Sequence, residues 1–496
     1  MKKLSAKLIS ILLAVGTLFS LPACNEPDDP SPAYVTGGEV RVSGGVITGT
    51  TNTDGDVAVY KGIPYAAAPV GELRWKAPQD VIPWDGVKDC SLWGANAIQG
   101  DATTFSYWTE EFIQDVDPSH YQNGIVYSED CLSLNIWSST SVTENKPVLV
   151  YIHGGGYNSG GASCPVYNGE NIAKNDVVFV SIQYRVGVLG YLATNALAQE
   201  ENGGAGNYGL LDQIKALEWV QENITSFGGD SNNITVMGQS AGAGSVNAIL
   251  ASPLAVGTFS AAVSASHNSI HESWPTLQQR IKAAPTQLKT KSVEELRSLD
   301  VNSLKSYSIS DNGPVIDGYA LNETYLKSIV NQNLIDVPLM SGMVAEDNLI
   351  YSVYANSTVS VVNSMMTLQN NIVTAKNNAG YYSDSYIYLF NHNVPQDDLK
   401  TPSAYGAKHS YELAYFFGNF VDNRAWTDVD YALSKSMMGY LINFCRNGDP
   451  NGEDLTTWNA SVGDYTYMCF DEACSEQSIP EKQYTAVNNY YNLNLG

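Results

Sequence analysis

Between Ile234 and Ala251 the chain reads ITVMGQSAGAGSVNAILA, a β-branched apolar run that passes through one glycine-flanked serine into a run of small, helix-forming residues. No residues are left over for a loop, so strand and helix must join in a single abrupt turn. A side chain in that turn stands above the sheet, and the crowding beneath it is tolerated only if the flanking positions, Gly238 and Gly242, are bare. A strand that turns straight into a helix belongs to a sheet with helices packed on its faces. Ser240 is thus both the strongest constraint on the fold and the candidate nucleophile.

The rest of the chain agrees with that constraint. PVLVYI (Pro147 to Ile152), DVVFVSI (Asp176 to Ile182), NITVM (Asn233 to Met237), DVPLMS (Asp336 to Ser341) and SYIYLF (Ser385 to Phe390) are almost continuously apolar, as strands covered on both faces are. Helical patterns separate them; from Tyr208 to Ile224, Leu211, Ile214, Leu217 and Val220 recur at helical spacing. The expected class is α/β, a mostly parallel central sheet flanked by helices. Short β-prone runs broken by Gly-Gly and Asp-Gly between Gly38 and Ala66 predict antiparallel hairpins at one sheet edge. The Lys-, Glu- and Ser-rich stretch from Ile270 to Ser310 reads as a helical cap insertion with little core of its own.

Lys2, Lys3 and Lys7 precede an apolar run from Leu8 to Leu21, too short to span a bilayer comfortably and shaped like a secretion signal. The following LPAC resembles a bacterial lipoprotein cleavage site. Residues 1–23 are therefore expected to be a leader, 24–36 a flexible acidic tether carrying lipid on Cys24, and 37–496 one catalytic domain, exported and held on the cell envelope only by that anchor. With 51 acidic against 26 basic residues the net charge is −25, which repels phosphate backbones and excludes nucleic acid as a partner. Export would place the remaining cysteines where disulfides survive; their spacing fits no zinc pattern, and Cys469 and Cys474 are near enough in sequence for a local bridge.

A serine hydroxyl needs a base within hydrogen-bond reach, and the base needs a group to orient it. Of the six histidines, His409 lies in YGAKHSYELAYFFG, after the last central strands and before a helix, as the chain order Ser, acid, His requires. His153 reads as structural. His267 and His271 follow a strand-like run and can approach the site, whereas His120 and His392 read as surface residues. LMSGMVAEDN places Glu346 and Asp347 side by side after a strand, and composition does not choose between them. No metal or organic cofactor is needed for this chemistry.

GIPYAAAPVGELRWKAP, SEDCLSLNIW, VYIHGGGY, QYRVGVLGYLA, GNYGLLDQIKALEWVQENITSFGGDSNNITVMGQSAGA and KHSYELAYFFG stand in one order over roughly Gly38 to Asn459. In that series the chain closely resembles the type-B carboxylesterases, which include bacterial esterases, cholinesterases and bile-salt lipases. The resemblance implies an α/β-hydrolase fold and hydrolysis of small-molecule esters through an acyl-enzyme, with Ser240 as nucleophile, His409 as base and Asp347 as acid. Most members carry glutamate at that position, so Glu346 is the alternative acid. It implies an oxyanion hole made by Gly155, Gly156 and Ala241, which accounts for the triple glycine after the strand at Val150 to Ile152. It also implies structural pairs of Arg74 with Glu129 and Arg185 with Asp212; the family's cysteine partner for Cys131 falls at Ala97 here, so Cys90, seven residues earlier, is the expected substitute partner. Gln239 stands where cholinesterases have glutamate, and no counterpart of their choline-binding tryptophan is found, so cholinesterase activity is not expected. His267 replaces a common glycine and is expected to narrow or polarise the acyl pocket. An amidase or acyltransferase using the same triad, or a non-catalytic adhesion protein on this fold, are the alternatives.

Overall fold

Chains whose apolar runs have no polar face must bury both sides of each strand, and the computed structural model does this with one large sheet. It describes residues 36–491 apart from 101–111, 142–144, 201–203, 268–273, 311, 348–360, 396–405 and 423. The leader, Cys24 and His271 lie outside the described residues.

The sheet has eleven strands: β1 (Thr50–Thr51), β2 (Val57–Pro64), β3 (Ser133–Ser139), β4 (Lys146–Ile152), β5 (Val178–Ile182), β6 (Gly229–Gln239), β7 (Ala261–Ala265), β8 (Leu339–Val344), β9 (Ser385–Phe390), β10 (Thr466–Phe470) and β11 (Cys474–Ser478). Their spatial order is β1-β2-β3-β5-β4-β6-β7-β8-β9-β10-β11. From β5 to β10 every neighbouring pair is parallel. The edges are antiparallel, β1 to β2, β2 to β3 and β3 to β5 on one side and β10 to β11 on the other.

Alternation along each strand explains the apolar runs. Val148, Val150 and Ile152 of β4 enter one core, together with Val178, Val180 and Ile182 of β5. Leu149 and Tyr151 enter the other, together with Phe179 and Met237. Helix α1 (Tyr208–Asn223) buries Leu210, Ile214 and Leu217 in the first core, beside α2 (Ala241–Leu250), whose Val246 and Ile249 join it. Helices α3 (Glu412–Phe417) and α4 (Asp428–Asn447) cover the opposite face through Leu413, Phe416, Met437 and Leu441. Burying one such side chain contributes about 1.5–3 kcal/mol, so the two cores dominate the stability of the layers.

Several expectations need adjustment. Of the hairpins expected between Gly38 and Ala66, β1 with β2 does form the antiparallel edge of the main sheet, whereas Glu39–Val42 with Gly45–Thr48 forms a separate three-stranded sheet with Val87–Asp89. Asp176 lies at φ 56 and is a turn residue, so β5 starts two residues later than the apolar run. The strand predicted at Asp336 begins at Leu339, beyond Pro338, whose ring removes a ladder donor. The cap region does own a core: Leu288, Leu296, Leu304 and Ile309 pack with Trp75, Leu189 and Tyr191. Arg74 makes paired 2.6 Å hydrogen bonds to Glu129, and Arg185 meets Asp212 at 2.7 and 2.8 Å with both residues buried. The pairings implied by the resemblance are therefore present.

The cysteine expectations fail. Cys90, Cys131, Cys164, Cys445, Cys469 and Cys474 are all free. Within the β10–β11 hairpin Phe470 stands opposite Cys474. Cys469, one residue earlier, consequently faces the other side of the sheet, out of reach of Cys474.

Candidate active site

Strand β6 runs to Gln239 and α2 begins at Ala241, leaving Ser240 alone in the turn at φ 58, ψ −126. That conformation is costly for a non-glycine residue, about 1–3 kcal/mol, and its surroundings hold it. The Ser240 amide donates to the Ala265 carbonyl at 3.0 Å, and its own carbonyl accepts from the Gly244 amide at 3.0 Å. A Cβ on Gly238 would stand 2.1 Å from the Gly242 carbonyl oxygen, and one on Gly242 would stand 2.1 Å from that of Ile152. Both glycines are thus fixed by contact with backbone.

The triple glycine leaves the end of β4 beside this turn. A Cβ on Gly154 would meet the Ser240 Cβ at 2.9 Å. Gly155 and Gly156 follow at φ 114 and φ 60, and the Gly155 carbonyl accepts from the Asn158 and Ser159 amides at 3.1 Å each. Gly156 has open space where its Cβ would be. The Ala241 amide is the first of α2, where no intrahelical acceptor exists. The Gly155 and Gly156 amides thus follow directly after a residue that touches Ser240, and the Ala241 amide adjoins it in the chain.

His153 supports this loop from behind. It is buried, stacks on Tyr184 with centroids 4.5 Å apart, and its Nδ1 bonds the Gly154 carbonyl at 2.8 Å. Burial pushes its pKa down to about 4 against the opposing effect of that carbonyl, so the ring is neutral, as a structural residue would be.

His409 lies just before α3, and Asp347 follows β8. His409 Nδ1 and Asp347 Oδ2 are 2.6 Å apart, both residues buried. Glu346 goes elsewhere: it accepts from Lys408 Nζ, and its carboxylate fills the space beside Gly406. The shorter aspartate thus reaches the imidazole without difficulty. Burial opposes charging of His409, yet the Asp347 charge and hydrogen bond, with Glu412 adding to them, hold its pKa above the ordinary value. Its Nε2 faces the turn, 3.3 Å from the side-chain amide nitrogen of Gln239.

Two neighbours were not legible in the sequence. Glu412 of α3 is fully buried and accepts from Ser266 Oγ; burial pushes its pKa up to about 7, against the Ser266 bond and the His409 charge. A carboxylate heading the otherwise apolar ELAYFF was the available signal. Ser266, at φ 49 just beyond β7, gave none. His267, next in the chain, is buried with Nδ1 3.3 Å from the Ser240 carbonyl. A Cβ on Gly244 would meet both the Tyr157 hydroxyl and the His267 ring, at 2.2 and 2.7 Å. His120 pairs with Asp115 at 2.7 Å on the surface, as expected. His392 departs from expectation: it is buried, 2.9 Å from Asp430, which also accepts from the Tyr415 hydroxyl at 2.6 Å. Burial of that pair under α4 could not be read from its local sequence.

Among the described residues no group of His, Cys, Asp and Glu side chains is arranged to hold a metal. The constellation instead offers one activatable hydroxyl, an imidazole oriented by a carboxylate, and unobstructed amides, the requirements of acyl transfer.

Comparison with known proteins agrees. The carboxylesterase family profile matches residues 36–367 and 351–487. The chain is 31% identical over 533 residues to the medium-chain fatty acyl-CoA hydrolase precursor of Anas platyrhynchos, covering 94% of this chain and 92% of that one. It is 33% identical over 342 residues to the fumonisin B1 esterase of Sphingopyxis macrogoltabida, covering 66% and 58%. Among solved structures, a thermophilic pNB esterase superposes with a TM-score of 0.75 at 26% identity over 91% of this chain and all of that one. A Geobacillus stearothermophilus carboxylesterase gives 0.71 at 27% identity over 91% of this chain and 99% of that one. The fold is accordingly the α/β-hydrolase fold, and the chain belongs to the carboxylesterase family, as a serine hydrolase of carboxylic esters.

Proposed function

We propose that Ser240 Oγ attacks the ester carbonyl while His409 Nε2 takes its proton, with Asp347 holding the opposite ring nitrogen. The new Oγ–C bond places negative charge on the carbonyl oxygen, which the amides of Gly155, Gly156 and Ala241 receive. Collapse breaks the C–O bond to the alcohol, and His409 returns the proton to the departing oxygen. Water, deprotonated by the same imidazole, then attacks the acyl-enzyme and releases the acid and Ser240. The observation that carries this reading is the 2.6 Å contact of His409 Nδ1 with Asp347: it keeps the proton on Nδ1 and leaves the Nε2 lone pair directed at the serine turn. The substrate is a small-molecule ester, and the Tyr157 hydroxyl and His267 give its acyl side a polar wall.

The test is a comparison of the parent with Ser240→Ala on a nitrophenyl ester and on a fluorophosphonate probe. Loss of hydrolysis by at least about 10⁴-fold and of all labelling is expected; a variant that still labels at the parent rate would refute the assignment. Residues 37–496 act as one catalytic domain, and the leader with Cys24 directs export and lipid anchoring, as the LPAC segment and the acidic tether support.

A further inference from the structure

The imidazole of His409 has one lone pair, and in this structure Ser240 does not hold it. Asp347 faces Nδ1 at 2.6 Å, so the ring proton resides there and Nε2 is an acceptor. The donor on Nε2 is the Gln239 side-chain amide at 3.3 Å. Gln239 is itself nearly sealed from solvent, at 2% exposure. Its Oε1 lies on the oxyanion-loop side, 3.3 Å from where a Gly154 Cβ would stand. The side chain thus lies between the base and the glycine loop, beneath Ser240 rather than in bulk water.

We infer that Gln239 is a positioning residue that competes with Ser240 for the His409 lone pair and caps the base while no ester is bound. A single in-plane lone pair accepts one strong hydrogen bond, so amide and hydroxyl cannot both be well bonded to it. Attack by Ser240 requires the cap to be released, and the ester carbonyl entering the oxyanion hole provides the occasion. The cap also favours the neutral ring, since an N–H donor pointing at Nε2 opposes its protonation. Other charged or titratable groups near the ring are Asp347 on Nδ1 and Glu412 on α3, with the Lys408–Glu346 pair beside them in the chain. His267 reaches the Ser240 carbonyl. All of these are unchanged in the variants below.

The inference rests on His409 acting as the base, and the test separates the two. In the full chain, Gln239→Met removes the donor at similar length, and Gln239→Glu replaces it with a carboxylate that draws a proton onto Nε2. A hydrogen bond of ordinary net strength corresponds to about a 2- to 12-fold effect. For Gln239→Met, fluorophosphonate labelling of the free enzyme and kcat/KM should therefore rise by about that factor at pH above the His409 titration. kcat should stay near the parent value, because the bound state is already uncapped. The acid limb of kcat/KM should move to higher pH in both variants, further in Gln239→Glu. An acid limb at the parent position in both variants overturns the inference, as does a fall in labelling of Gln239→Met with the limb unmoved. Should Gln239→Met fail to fold, the acid limb of the near-isosteric Gln239→Glu decides alone. Ser240→Ala is assayed alongside: persistent labelling there defeats the triad reading, whereas its loss together with unmoved Gln239 variants defeats only the cap.

Discussion

At the scale of single residues, adjacent carboxylates at 346 and 347, in the turn beyond β8, have different partners. Glu346 goes to Lys408 and Asp347 to His409. Asp347→Asn is accordingly expected to lower kcat by about 10⁴-fold through the wrong imidazole tautomer. Glu346→Gln, which removes a half-exposed ion pair, should change it by less than about fivefold; steady-state kinetics of both variants checks the assignment. The acid limb of activity should lie above the ordinary histidine value of 6.5, since the base must be neutral and Asp347 favours its charged form. Glu412 predicts a stability effect of defined sign. Its folded pKa, about 7, exceeds the ordinary 4.5, so the protein gains stability from its neutral form below pH 4.5 and loses it as pH rises towards 7. The cost at higher pH is roughly 3 kcal/mol. Denaturant titrations at pH 5 and 8 should show a smaller loss on raising the pH in Glu412→Gln than in the parent; an equal loss would exclude Glu412 as its source. Ser240 was legible because its turn is local. The His409–Gln239 contact was not, because it joins residues 170 positions apart, and the buried His392–Asp430 pair has no signal in its local composition.

At the scale of elements, strand-to-helix junctions do the positioning. The end of β4 leads into the triple-glycine loop proposed to hold the oxyanion, the end of β6 into Ser240 and the end of β8 into Asp347, the proposed acid. The apolar runs foretold all three because both-face burial leaves no polar alternation to confuse them. Boundaries were less legible where backbone chemistry intervenes, as at Asp176 and Pro338. The glycines divide by what surrounds them. Gly242→Ala would press a methyl to 2.1 Å from the Ile152 carbonyl oxygen, and neither backbone can yield, so soluble folded protein should be lost, as judged by circular dichroism. Gly156 has open space beside it but sits at φ +60, so Gly156→Ala should fold with native circular dichroism while losing on the order of 10²- to 10³-fold in kcat as the amide is misdirected.

At the scale of the whole molecule, the fold class was readable from the apolar runs, and the two ion pairs from the resemblance to the family. The separate N-terminal sheet and the core of the cap were not, since both depend on which surfaces meet rather than on periodicity. The charge of −25 keeps the surface strongly hydrated, which fits the proposed lipid tether at Cys24. Replacing the anchor residue tests that arrangement: Cys24→Ser should move the protein from the membrane fraction to the soluble exported fraction without altering its activity on a nitrophenyl ester, and an unchanged distribution would exclude lipid attachment at Cys24. The reactive groups also carry a kinetic implication. Because the proposed oxyanion loop follows β4 whereas His409 comes only after β9, the proposed site cannot assemble until strands separated by about half of the chain have docked. Regain of turnover after dilution from denaturant should then lag behind the return of helical signal, making the enzyme a reporter of its own slowest long-range assembly.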